Sequence, residues 1–209
     1  MKKQKSNYDK HDECVEKVKT LFDGVGFFCI LEDKKPNVAH KAPDLKCESE
    51  KMVIEIKTFQ GNPEDKKRER EILENNQQAY WELERHSVFS DQIKKARKKF
   101  QNYPDYKSIV FFVNFLRIDR QNIIELLFKE EYLVFEELNK TSYSVKDRIF
   151  TKEKNTEVGA IAQIYDDKLI IIHNSQADDK RKIPRSVGQR LGAVQKIYIY
   201  NPTSVIDYE

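Results

Sequence analysis

Between residues 9 and 25 the apolar positions Cys14, Val15, Val18, Leu21 and Phe22 recur three and four apart. That spacing predicts an amphipathic helix, stopped by Gly24 and Gly26. Residues 27–31 form a short apolar run and predict a strand, whereas 34–41 are polar, contain Pro36 and predict a loop. Residues 44–47 and 52–58 predict two strands joined by a polar turn at 48–51, which makes a hairpin. Residues 60–86 are unusually polar, with Ile72, Tyr80 and Leu83 as a weak stripe, and predict a helical insertion. Ser90 and Asp91 then offer caps for a separate helix over 92–101, with Ile93, Ala96, Arg97 and Phe100 on one side. The strongest apolar run, 108–116, predicts a buried central strand. A short helix follows at 122–129, then a hairpin of 160–165 and 168–173 across Asp166 and Asp167, and a last strand at 196–200.

This order predicts an α/β (α+β) fold, a mixed central sheet flanked by helices with a C-terminal β-rich extension. Residues 1–130 are expected to form the core, interrupted by the charged insertion at about 60–88. Residues 131–209 are expected to pack on that core rather than stand as an independent domain.

Composition narrows the functional classes. The 209 residues are 39% hydrophobic and 11% aromatic, enough for one globular core. Charged residues reach 35%, above the usual quarter, yet the net charge is only +3. Whole-chain charge therefore does not announce a nucleic-acid binder; local clusters at 94–99 and 180–190 carry that information instead. The three cysteines, Cys14, Cys29 and Cys47, lack C-x-x-C spacing and are odd in number, so reduced thiols in a cytoplasmic protein are expected. No apolar segment follows the basic start and no run is long enough to span a membrane. Walker, G-x-S-x-G and G-x-G-x-x-G motifs are absent, which removes P-loop, serine-hydrolase and dinucleotide chemistry.

The candidate chemistry lies in the first hairpin. On a strand Glu55 and Lys57 share a face, with Val53, while Met52, Ile54 and Ile56 lie on the other. Charges on an apolar strand are expensive without partners. A turn at 48–51 brings Asp44 opposite Glu55, so two carboxylates share a small site. Their repulsion raises one pKa unless a cation intervenes, and a hard divalent ion with oxygen ligands suits that position. The Ile56 carbonyl offers a further oxygen, and Lys57 stands beside the ion to position water or steady phosphate charge.

Pro43-Asp44, ten intervening residues, then Glu55-Ile56-Lys57 resembles the motif of the PD-(D/E)XK nuclease superfamily. The resemblance covers about residues 9–116 and implies a restriction endonuclease-like αβββαβ core. It further implies that Asp44 and Glu55 hold Mg²⁺ or Mn²⁺, with Ile56, while Lys57 assists the attacking water. Members often add a glutamate from the first helix, for which Glu13 is the choice and Glu16 the reserve. Others use a glutamine or lysine from the helix after the motif; Gln92 and Lys95, three apart, fit that place. The charged insertion before that helix departs from the pattern.

The remaining candidates have plain structural readings beside functional ones. The run Lys94, Lys95, Arg97, Lys98 and Lys99 either grips phosphates, with Lys94, Lys95 and Lys98 foremost, or lines a solvated helix face. Lys182, Arg185 and Arg190 either contact a nucleic-acid backbone or belong to a surface loop. His11, His40, His86 and His173 have no ligand partner at helical spacing, and Tyr80 and Trp81 fit an anchor better than a base-stacking platform. The expected function is thus a Mg²⁺-dependent nuclease acting on nucleic acid, DNA ahead of RNA, without a membrane partner; a homodimer would suit double-strand cutting. The alternatives are a catalytically silent nucleic-acid-binding or protein-interaction module on the same fold, and an unrelated α/β interaction protein.

Overall fold

The computed structural model describes residues 7–32, 42–58, 78–113, 133–135, 142–144, 150, 154–165, 168–192 and 197–200. The short helix expected at 122–129 and most of the charged insertion lie outside them. The first helix, α1 (Asn7–Gly24), ends where the sequence predicts, with Gly26 in the left-handed region at φ 79°. The run at 27–31 yields only a two-residue strand, β1 (Ile30–Leu31), whose side chains stay exposed.

The hairpin of β2 (Leu45–Cys47) and β3 (Met52–Thr58) forms around residues 48–51. Next comes α2 (Gln78–Phe100), a single helix of 23 residues. Ser90 and Asp91 sit inside it and do not cap a second helix, because the packing of Phe89 and Ile93 carries helical periodicity straight through them. The central strand β4 (Lys107–Val113) follows, then a separate two-stranded pair, β5 (Leu133–Phe135) and β6 (Ser142–Ser144). The hairpin of β7 (Ala160–Tyr165) and β8 (Lys168–His173) has the expected bounds. The basic segment after it is not a surface loop: it forms a 3-10 turn, Asp179–Arg181, and a helix, α3 (Arg185–Gly192). A last strand, β9 (Ile197–Tyr200), closes the described chain.

Seven strands make one mixed sheet in the order β1-β2-β3-β4-β7-β8-β9. The β3–β4, β4–β7 and β8–β9 pairs are parallel and the rest antiparallel. Alternation along the central strands divides the core in two. One side gathers Ile54, Ile56, Ile109 and Phe111 with Val15, Val18 and Phe22 of α1 and Val187 and Leu191 of α3. The other gathers Val53, Val110 and Phe112 with Phe89, Ile93, Ala96 and Phe100 of α2. Phe89 stacks on Phe112 at 4.1 Å between centroids, and burying each such ring contributes about 2–3 kcal/mol.

The far end of α2 is fixed by a residue 81 positions away. Buried Arg181 donates to the carbonyls of Tyr103 (2.6 Å), Tyr106 (3.0 Å) and Phe100 (3.1 Å). The Phe100 carbonyl is one that the helix C-terminus leaves over, the other two belong to the turns that follow it, and a cation there also suits the helix dipole. Gly159 makes this approach possible: a β-carbon on it would collide with the Arg181 carbonyl, while its amide reaches the Ser108 carbonyl at 3.0 Å.

The thiols depart from expectation. Cys29 and Cys47 form a disulfide, leaving Cys14 as a buried thiol. The β1–β2 register places these two residues directly opposite each other, a relation that a sequence separation of 18 conceals. Among the described residues no helix is long and apolar enough to cross a membrane.

Candidate metal and phosphate site

The site begins with the turn at 48–51. Lys51 adopts φ 47° and its amide reaches the Glu48 carbonyl at 3.1 Å, closing a tight connection. The hairpin register that follows pairs Leu45 with Ile54 and Cys47 with Met52. One step further along, Asp44 falls opposite Glu55. The Asp44 amide donates to the Ile54 carbonyl at 3.1 Å, and the Ile56 amide donates to Asp44 Oδ2 at 2.8 Å. Asp44 is therefore held through both its backbone and its side chain.

Asp44 is 3% exposed and Glu55 1%. Glu55 projects to the α2 side of the sheet with Val53, and two ammonium groups meet it there. Lys57 Nζ lies 2.5 Å from Glu55 Oε1. Lys99 Nζ, arriving from α2, lies 2.7 Å from Oε1 and 2.7 Å from Oε2. Burial, then the charge of Asp44, pushes the Glu55 carboxyl up, and Lys57 and Lys99 pull it partly back. On the opposite side, His11 of α1 brings Nε2 to 3.5 Å from Asp44 Oδ1 and Nδ1 to 3.5 Å from Thr58 Oγ1.

No protein family, no curated protein and no solved structure matches the chain.

Asp44, Glu55 and Lys57 come together as the sequence predicts. Glu13 and Glu16 lie exposed on α1, and it is His11 that faces Asp44. Gln92 and Lys95 share the side of α2 that carries Lys99, but Lys99 is the residue that reaches Glu55. Lys95 and Lys98 are exposed, and Lys94 pairs with Asp91 at 3.5 Å. The second basic cluster lies elsewhere. Helix α3, with Arg190, packs on the face opposite α2, whereas Arg181 at the start of the cluster reaches the end of α2. Arg190 lies with its guanidinium carbon 3.9 Å from the Phe27 ring centroid and donates to the Val25 carbonyl; Lys182 pairs with Asp179 at 2.7 Å. The backbone of Arg185 opens α3. His40 lies outside the described residues, as do the side chains of Tyr80, Trp81 and His86.

The placement of two residues at the carboxylates escaped the sequence reading. Lys99 carried a usable signal: it borders the stripe of Ile93, Ala96 and Phe100, which places it at the sheet rather than in solvent. His11 carried none, because its partners arrive from a different layer.

Among the described residues no three His, Cys, Asp or Glu side chains are arranged to hold a metal. Magnesium, however, commonly takes one or two protein carboxylates and keeps its waters. Two buried carboxylates in register, each raising the cost of ionising the other, suit such an ion, with the Ile56 carbonyl as a further oxygen. By donor chemistry the residues fit Mg²⁺ or Mn²⁺.

Proposed function

We propose that this chain is a divalent-metal-dependent nuclease of the PD-(D/E)XK kind, hydrolysing phosphodiester bonds in nucleic acid, DNA ahead of RNA. The observation that carries the reading is the pairing of buried Asp44 and Glu55 across one hairpin with Lys57 on the Glu55 face. The order helix, three strands, helix, strand around a mixed sheet agrees with a restriction endonuclease-like core.

Asp44, Glu55 and the Ile56 carbonyl are the groups that would hold Mg²⁺ or Mn²⁺. A bound ion of this type supplies Lewis acidity and lowers the pKa of water. Lys57 presents Nζ–H donors beside the carboxylates, placed to orient water or to meet charge developing on a phosphate oxygen. Lys95 and Lys98, exposed on α2, give the substrate backbone a salt-sensitive grip. The hydrogen bond from Ile56 to Asp44 keeps one carboxylate from swinging away.

The test is cleavage of plasmid and single-stranded substrates with Mg²⁺ and with Mn²⁺ by wild type, Asp44→Ala and Lys57→Ala. Wild-type cleavage that falls by about 100-fold or more in both variants is expected. Full activity in both variants would sink the reading. A catalytically silent nucleic-acid-binding or protein-interaction module is the second reading. It draws on Lys99, which already closes both oxygens of Glu55. Salt-sensitive binding with no turnover in any divalent ion would favour it.

A further inference from the structure

A cation that grips a carboxylate through both oxygens sits on the line bisecting them. At Glu55 that place belongs to Lys99, whose Nζ is equidistant from Oε1 and Oε2 at 2.7 Å. Lys57 also meets Oε1, from two residues along the same strand, and so stands to one side of that line. Lys99 comes from another element. Its backbone is fixed, because Phe100 and Ala96 are buried against the sheet and Arg181 holds the carbonyls that end the helix. Its side chain is 15% exposed, so the ammonium lies at the edge of the site rather than sealed within it. Two carboxylates and two ammonium groups already balance. A divalent ion added to them would leave a surplus of positive charge within a few ångströms, and the ammonium standing in the place such an ion would take on Glu55 is that of Lys99.

We propose that Lys99 is a built-in competitor for the divalent ion: its ammonium holds Glu55 before metal loads and must withdraw for metal to bind. This rests on the metal site proposed above. Charge-assisted contacts of this kind are strong, so the competition has a measurable cost in affinity.

The experiment is Mn²⁺ binding to the full chain, followed by the loss of the free-ion electron paramagnetic resonance signal, without substrate. Lys99→Met removes the ammonium. Lys99→Gln removes the charge but keeps a donor for Glu55, which guards against a variant that fails to fold. Both are expected to bind Mn²⁺ about tenfold more tightly than wild type. Lys17→Met, the same charge change on an exposed position of α1 that takes no part in the site, is expected to stay within about twofold, which separates competition from bulk charge. Wild-type binding that is unchanged or weakened in both Lys99 variants overturns the proposal and leaves the metal site standing. Binding that survives intact in Asp44→Asn places the ion elsewhere and overturns it as well. If neither wild type nor the Lys99 variants bind Mn²⁺, the metal reading itself fails and the proposal falls with it.

Discussion

The Ile56 amide donates to the Asp44 side chain at 2.8 Å, across the β2–β3 pair. One candidate ligand is thereby built into the hydrogen-bonding of the strand that carries the other. Asp44→Asn retains an oxygen for this bond and loses only the charge. Asp44→Ala leaves a buried amide without its acceptor, which costs about 1–3 kcal/mol. Urea denaturation should therefore rank Asp44→Asn close to wild type and Asp44→Ala well below it. Equal stability of Asp44→Ala and wild type would contradict this account.

Arg181 anchors the helix that delivers Lys99. Replacing it with Met removes three donors from buried or half-buried carbonyls of Phe100, Tyr103 and Tyr106. A loss of about 3 kcal/mol is expected in chemical denaturation, and Lys, with its single ammonium, should restore only part of it. Hydrogen exchange in the last turn of α2 should rise together with that loss.

The disulfide between Cys29 and Cys47 ties the short edge strand β1 to β2. Closing a loop of this length restricts the unfolded chain and contributes about 3 kcal/mol. Reduction, or the double change Cys29→Ala and Cys47→Ala, should lower the unfolding midpoint accordingly. A midpoint indifferent to reductant would count against the bond.

Asp23 gives the chain a pH-dependent contact. The Lys19 ammonium holds its carboxyl below the usual carboxylate range, aided by the Cys29 amide at 3.1 Å. A carboxyl lowered by folding stabilises above its unfolded value, and that contribution fades as pH falls through the folded value. Asp23 is half-buried, so Asp23→Asn should cost no more than about 1 kcal/mol near neutrality. Thermal melts of wild type and variant should begin to draw together below a pH of about 4 and meet once Asp23 is protonated in the folded chain.

The hairpins were legible because alternation and turn residues act locally. Residues 48–51 had to turn for β2 and β3 to bury Leu45 and Ile54 together, and Asp166-Asp167 separated two strands of matching pattern. Helix α2 was misread as broken at Ser90 and Asp91. Cap preference is a local effect worth about 1 kcal/mol, and burial of Phe89 and Ile93 on the sheet outweighs it. The placements that failed are non-local. His11 reaches Asp44 from α1, and Cys29 meets Cys47 only once β1 has paired. Lys99 stood among five basic residues whose types are alike, and only its angular position about the helix distinguishes it.

The four-residue turn at 48–51 sets more than the course of the chain. Side chains on a strand alternate with period two, so one residue added there and absorbed by a one-residue slip of β2 would carry Asp44 to the face away from Glu55. The sheet would retain its apolar pattern on β3, and every residue of the motif would still be present. Leu45 and Cys47 would leave the core with it, and under the function proposed here such a chain would keep its motif and lose its chemistry. The length of a turn is in that sense part of the active-site specification, as binding as the identity of any acid within it.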